Sequence, residues 1–267
     1  MKLAIIGGGV MGEAIIASLL RRGLVDRDGL RVGEARPQRR EQLQAAYGVA
    51  VLGDNGEAAR GADMVLLAIK PQEFPALAGE LKGHLEQQQT VLSIMAGVAI
   101  GDMVEGLGHR AIIRAMPNTP AQIGDGFAVW MATAEVAEPA KEQARQILAA
   151  LGRETYVSDE KYMDMATAVS ASGPAFVFLL IEAFIDGAVH IGVPRDMAVP
   201  MVLQTVLGSA RLLEQTGKHP AEMKNLVTSP GGTTTEGLLA MERAGVRASL
   251  MEAIEAAYEK AQALGRR

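Results

Sequence analysis

The chain has 267 residues with 26 Lys and Arg against 31 Asp and Glu, and its net charge of −5 gives no general pull toward nucleic acid or anionic lipid. It has no cysteine, so disulfides, thiol catalysis and thiolate metal sites are excluded. With 49% hydrophobic residues, 30 Gly and only 4% aromatics, the composition suits a soluble α/β protein of one large or two modest domains.

The four histidines, His84, His109, His190 and His219, lie far apart and none has metal-ligand spacing, so no metal is expected. The chain passes from Met1 and Lys2 directly into a strand pattern. Neither a signal peptide nor a transit segment is therefore expected, and a cytoplasmic location is. The longest apolar stretch, Phe176 to Ile191, is interrupted by Glu182 and Asp186 and is short for a bilayer span, so no membrane partner is expected.

Leu3–Ile6 is a short apolar run of the kind that forms a buried parallel strand. Gly7-Gly8-Gly9-Val10-Met11-Gly12 follows at once, then a helical stretch from Glu13 to Arg22 closed by Gly23. Glycines at 7, 9 and 12 fill the pattern G-x-G-x-x-G, each with its own task. Gly7 allows a tight turn, Gly9 lets the backbone approach a pyrophosphate, and Gly12 lets the helix pack against the strand. The helix opening at Val10 and Met11 aims free N–H groups and its positive dipole end at the diphosphate. The pattern alone is weak, since a glycine-rich βα turn need hold no ligand. Here a strand precedes it, a helix follows, and a second strand is expected at Leu30–Gly33.

The end of that second strand should read the adenosine ribose. It carries Glu34, whose carboxylate can accept from a 2′-hydroxyl and would repel a 2′-phosphate. Arg36, Arg39 and Arg40 have the opposite preference, because a guanidinium pairs with phosphate; alternatively they form the solvated face of the next helix. The cofactor is therefore NADPH or NADH, with the choice open.

Further buried strands are expected at Met64–Ile69, Thr90–Ile94 and Ala111–Ala115. Their carboxyl ends lead into Ala68-Ile69-Lys70-Pro71-Gln72, Met95-Ala96-Gly97 and Met116-Pro117-Asn118-Thr119-Pro120. Ala68, Lys70, Pro71, Ala96, Gly97 and Asn118 thus fall at the edge where ligands bind, although tight packing alone would explain Ala96 and Gly97. Gly126–Met131 reads as another strand and Pro139–Leu151 as a helix. Strands alternating with helices imply a mostly parallel, doubly wound sheet.

After about Ser158 strand signals stop. Asp159–Ser170, Pro174–His190, Arg195–Gln215 and Ala240–Leu264 read as long helices, and the second is so apolar that it needs cover on most sides. Intertwined helices of a dimer would supply it, as would burial within one chain. Domains of 1–158 and 159–267 are expected. Two loops separate the helices: Ser170–Pro174, and Thr228–Gly237, which is dense in small polar residues and glycine. The second offers N–H groups and hydroxyls suited to a carboxylate, and has more of them than an N-capped turn requires.

Taken together, the chain resembles the pyrroline-5-carboxylate reductase family along essentially its whole length. The resemblance rests on Ile5–Gly12, Ala68–Gln72, Arg114–Pro120, Ser172-Gly173-Pro174-Ala175-Phe176 and, most specifically, Ser229-Pro230-Gly231-Gly232-Thr233-Thr234. Glu34 stands where the family commonly has Asn or a small polar residue, and Asn225 where it frequently has Asp. The resemblance implies an amino-terminal Rossmann-type domain and an all-α dimerisation domain, often assembled as rings of dimers such as a decamer. It also implies reduction of 1-pyrroline-5-carboxylate to L-proline by NAD(P)H, the last step of proline biosynthesis. By resemblance, Thr234 is catalytic and hydrogen-bonds the ring nitrogen, while Ser229, Gly231, Gly232, Thr233 and Thr234 hold the substrate carboxylate. Nicotinamide is expected near Ala96, Gly97 and Asn118, with Gly7, Gly9, Val10, Met11, Gly12, Glu34, Arg36, Ala68, Lys70 and Pro71 completing the cofactor site. A β-hydroxyacid dehydrogenase would need a lysine beside a glycine cluster in the second domain. Lys161, Lys218, Lys224 and Lys260 lack one. A broader imine reductase and a non-catalytic dinucleotide sensor also fit a Rossmann turn followed by helices, but the sensor would not need the Ser229–Thr234 loop.

Overall fold

Leu3–Ile6 forms β1, buried at every residue. The computed structural model, which describes residues 1–265, places it inside an eight-stranded sheet. In chain order the elements are β1, α1 (Val10–Arg21), β2 (Leu30–Gly33), α2 (Pro37–Tyr47), β3 (Ala50–Leu52), α3 (Asn55–Ala59) and β4 (Met64–Leu67). There follow α4 (Phe74–Leu81), β5 (Thr90–Ser93), α5 (Ile100–Leu107), β6 (Ile112–Pro117), β7 (Gly126–Ala132), α6 (Glu138–Ala149) and β8 (Gly152–Tyr156). The strand order is β3-β2-β1-β4-β5-β6-β7-β8.

The apolar runs of β1, β4, β5 and β6 do not alternate with polar residues because both faces of the sheet are covered. Leu3, Ile5, Leu66, Leu92 and Ile113 point to one face, where Ile15, Ile16 and Leu19 of α1 and Ile147 and Leu148 of α6 meet them. Ala4, Ile6, Val65, Leu67, Val91 and Ile112 point to the other, against Ala58 of α3, Leu77 and Leu81 of α4, and Met103 and Leu107 of α5. Successive side chains on a strand alternate faces, so neighbouring residues serve different helical layers. This is the doubly wound arrangement expected.

Pairing is parallel from β3 across to β6. It then reverses: β7 is antiparallel to β6, and β8 is parallel to β7. The link between β6 and β7 is residues 118–125, shorter than the dozen or so residues a parallel crossover needs. β3 and β8 are not apparent in the sequence pattern. β3 has three residues, and β8 carries Arg153 and Glu154 on a largely exposed edge.

The remaining elements are helical: α7 (Lys161–Ala166), a π-helical turn at Thr167–Ala171, α8 (Gly173–His190), α9 (Arg195–Thr216), α10 (Pro220–Leu226), α11 (Thr233–Arg243) and α12 (Val246–Gly265). By contacts the chain forms two compact units, Met1–Ser172 with the chain from Ala257, and Gly173–Ala256. Three expectations change here. The loop expected at Ser170–Pro174 is helical, since the Ser172 N–H donates to the Thr167 carbonyl at 2.9 Å and carries the helix onward. The helix expected at Ala240–Leu264 is broken at Gly245, whose φ of 71° ends α11. The loop expected to run to Gly237 stops at Gly232, because Thr233–Gly237 already belongs to α11.

Within the second unit, α8 and α9 pack together, yet no residue of α8 is buried. The helix is continuous from Lys161 to His190, with mean hydropathy 1.9 over its most apolar window. By length and composition alone it could cross a bilayer, contrary to the shorter span expected from Phe176–Ile191.

Candidate active site

The strand order 3-2-1-4-5-6 reverses direction between β1 and β4, and in such sheets ligands bind at the carboxyl edge of that switch point. Gly7 leaves β1 with φ 106°, and a Cβ there would stand 2.5 Å from the Ala68 carbonyl oxygen. Only glycine satisfies both conditions. A Cβ on Gly12 would stand 2.0 Å from the Gly7 carbonyl oxygen, so Gly12 allows α1 to seat on its own turn. At Gly9, the N-cap of α1, a Cβ would meet nothing within 4 Å. Packing does not require glycine there; the space left open would admit a diphosphate to the first-turn N–H groups of Val10 and Met11. The turn fits a dinucleotide.

Gly8 has a task that the G-x-G-x-x-G pattern does not record. Its N–H donates to Oε2 of Glu34 at 3.1 Å, and a Cβ would strike Leu43 at 2.5 Å. Glu34 is only 6% exposed. Its Oε1 accepts from the Arg36 backbone N–H at 3.0 Å and Arg36 Nε at 2.9 Å, and its Oε2 from Arg36 Nη2 at 3.2 Å. Burial pushes the Glu34 carboxyl up, but these bonds outweigh it and hold the group below its ordinary value. Arg39 donates from Nε to the Gly8 carbonyl at 2.8 Å and pairs with Glu13 on α1. The hydrogen bond from Arg39 holds Glu13 low against burial, aided by the Tyr47 hydroxyl. Arg39 is thus a brace between α2 and the turn, and not simply a solvated charge.

Further along the same edge, Lys70 is exposed and Pro71 opens a 3₁₀ turn. Gly97 has φ 70°, and its would-be Cβ lies 3.1 Å from Leu264 Cβ. Conformation and packing therefore suffice to explain that glycine. Asn118 is committed at both ends of its side chain: Oδ1 accepts from Phe127 N–H at 2.9 Å and Nδ2 donates to Ser170 Oγ at 3.2 Å. Ser170 lies on the π-helical turn, a feature frequent at functional sites. The motif Arg114–Pro120 gives no hint of what Arg114 does. Buried to 4% exposure, it pairs with Glu160 at 2.5 Å and faces Asp164 at 3.8 Å, while Glu160 accepts from the Ile100 N–H at the start of α5.

In the second unit, Ser229–Gly232 forms a tight turn into α11. The Gly232 N–H donates to the Ser229 carbonyl at 3.0 Å, and the Thr235 hydroxyl donates to the same oxygen at 2.7 Å. Gly231 has φ 67°, and a Cβ on Gly232 would stand 2.4 Å from Ser229 Oγ. Thr233 and Thr234 are the first two residues of α11, whose opening N–H groups have no partner within the helix and attract an anion. Thr234 is half-buried and Thr233 exposed. Among the described residues no cluster of His, Asp or Glu could hold a metal.

The family model "Pyrroline-5-carboxylate reductase dimerisation" matches residues 160–264. The model "NADP oxidoreductase coenzyme F420-dependent" matches residues 2–97. A pyrroline-5-carboxylate reductase of Synechocystis is 44% identical, covering 100% of this chain and 99% of that protein. Solved structures agree. One, of a pyrroline-5-carboxylate reductase from Coxiella burnetii, has TM-score 0.90 and 33% identity over 98% of each chain. Another, of Plasmodium falciparum pyrroline carboxylate reductase with NADP bound, has TM-score 0.89 and 30% identity, covering 99% of this chain and 98% of that one. Sequence, sheet topology and the two glycine turns converge, and the chain belongs to the pyrroline-5-carboxylate reductase family.

Proposed function

We propose that the protein reduces 1-pyrroline-5-carboxylate to L-proline with NAD(P)H, on the strength above all of the Ser229–Thr234 turn beside full-length kinship with reductases of that name. The bound dinucleotide supplies the hydride, and the chain positions and polarises. In residues 1–158, Gly7, Gly9, Val10, Met11 and Gly12 hold the diphosphate, and Glu34 and Arg36 lie at the adenosine ribose. Ala68, Lys70, Pro71, Ala96, Gly97 and Asn118 line the rest of the strand edge toward the nicotinamide. In residues 159–267, the N–H groups of Thr233 and Thr234 hold the substrate carboxylate with the Ser229 hydroxyl, and Gly231 and Gly232 shape the turn. The Thr234 hydroxyl hydrogen-bonds the ring nitrogen. A protonated imine needs little further acid–base help, which suits a turn of hydroxyls and N–H groups.

The uncovered apolar side of α8 supports a homodimer, from which a decamer is built, and a cytoplasmic location suits such an enzyme. The direct test follows absorbance loss of NADH and NADPH separately with racemic 1-pyrroline-5-carboxylate. Oxidation with proline formed in equal amount is expected, and no oxidation with either cofactor would favour a dinucleotide sensor. Thr234→Val is expected to lower kcat/KM for the pyrroline about a hundredfold with unchanged dinucleotide affinity. Unaltered kinetics would remove Thr234 from the mechanism.

A further inference from the structure

Alternate residues of a strand share a face, and on one face of β6 they run on into Asn118, which is still extended at φ −113° and ψ 170°. Arg114, Met116 and Asn118 meet the chain from Glu160 to Ser170 in succession. Arg114 pairs with Glu160 and faces Asp164. Met116 packs with Met163 and Ala166. Asn118 donates from Nδ2 to Ser170 Oγ at 3.2 Å. The first two contacts fix the spacing at which the third is made.

The orientation of the Asn118 amide follows from its partners. The Phe127 N–H can only donate, so the end it reaches at 2.9 Å is Oδ1, and the end facing Ser170 is the NH₂. Ser170 therefore accepts from Asn118, and its own proton must point elsewhere. Thr167, three residues earlier, gives its proton to the Met163 carbonyl at 2.8 Å, the usual bond of a hydroxyl inside a helix. Ser170 makes no such return bond, and among the described residues no group accepts its proton. Half-buried on the π-helical turn and seated against the residue that ends β6, it has a donor available to a ligand oxygen.

We infer that Ser170 is a cofactor-binding residue, donating its hydroxyl proton to an oxygen of the nicotinamide riboside half of the dinucleotide, and that Asn118 is a positioning residue that acts through it. The inference rests on the cofactor site proposed above, but not on the identity of the imine.

The test is calorimetric titration of the intact protein, without pyrroline, with each reduced dinucleotide and with the same molecule lacking nicotinamide: ADP-ribose for NADH, 2′-phospho-ADP-ribose for NADPH. Ser170→Ala should weaken the dinucleotides about fivefold, the worth of one hydrogen bond, and leave the nicotinamide-free molecules within about 1.5-fold. Asn118→Asp keeps the bond from Phe127 but puts an acceptor where Nδ2 stood, which draws the Ser170 proton inward. It should reproduce the loss of Ser170→Ala, and the double variant should lose no more than either single one. Reduced nicotinamide is uncharged, so the new carboxylate does not act on the ring by charge. Dinucleotide binding unchanged in Ser170→Ala would overturn the inference. So would an equal loss for the nicotinamide-free molecules, which marks a structural role, or a double variant that multiplies the two losses, which marks Asn118 as acting on its own. If the wild type binds no dinucleotide, the cofactor site itself falls and takes the inference with it. The expected pattern without pyrroline reduction would leave the inference standing and defeat only the proposed reaction.

Discussion

A Cβ placed on Gly12 would stand 2.0 Å from the Gly7 carbonyl oxygen, whereas on Gly9 it would meet nothing within 4 Å. The two glycines therefore fail differently when replaced. Gly12→Ala forces α1 off its turn and should destabilise the fold by roughly 1–3 kcal/mol, read as a fall in the urea midpoint. Gly9→Ala is compatible with the backbone at φ −69° and ψ −169°. It should unfold like the wild type but lose dinucleotide affinity. Equal unfolding midpoints for the two variants would refute this division. The pattern G-x-G-x-x-G is legible in the sequence with these separate tasks, because glycine has few reasons to recur at such spacing before a helix. The bonding at Glu34 is not legible. Residue types show an acid beside three bases, but which of them touch depends on α2 bringing Arg39 and Arg40 back toward the turn.

Among the elements, β6 carries two commitments. The residue just past its end is Asn118, and its interior holds the buried Arg114, which ties the strand to the start of α7 through Glu160 and to α5 through the Ile100 N–H. Arg114→Met removes the cation and leaves Glu160 and Asp164 facing each other without it. The cost should be about 3 kcal/mol, at the lower end for breaking a buried pair because the Glu160 side chain remains partly exposed and can rehydrate. Chemical denaturation measures it, and a change under about 1 kcal/mol would show that the pair contributes little. Continuous apolar runs make β1, β4, β5 and β6 readable, since buried parallel strands look alike from either face. β8 escapes such a reading because an edge strand needs no apolar run. The junction Ser170–Pro174, which begins inside the π-helical turn, reads as a loop because Ser-Ala-Ser-Gly-Pro is loop-like in composition. Its helical state comes from the Thr167–Ser172 backbone bond, on which composition is silent.

For the whole molecule, the exposed side of α8 is the dominant feature. Phe178 is 62% exposed and Leu179 64%, with Val177 and Phe184 alongside, in the region matched by the dimerisation model. An apolar surface of this kind marks a protein interface. Phe178→Glu should therefore convert the oligomer to a smaller species by sedimentation while the glycine turn still binds dinucleotide. An unchanged sedimentation coefficient would place the interface elsewhere. The sequence indicates that this helix needs cover but not from where, because apolarity is the same whether a partner or the chain itself supplies it.

The bareness of α8 also bears on what it means for this protein to be stable. A chain that keeps so many large apolar side chains in water has not completed its burial when its own contacts are made; association completes it. Its melting temperature is therefore a function of protein concentration by mass action, falling on dilution and rising when the solution is concentrated.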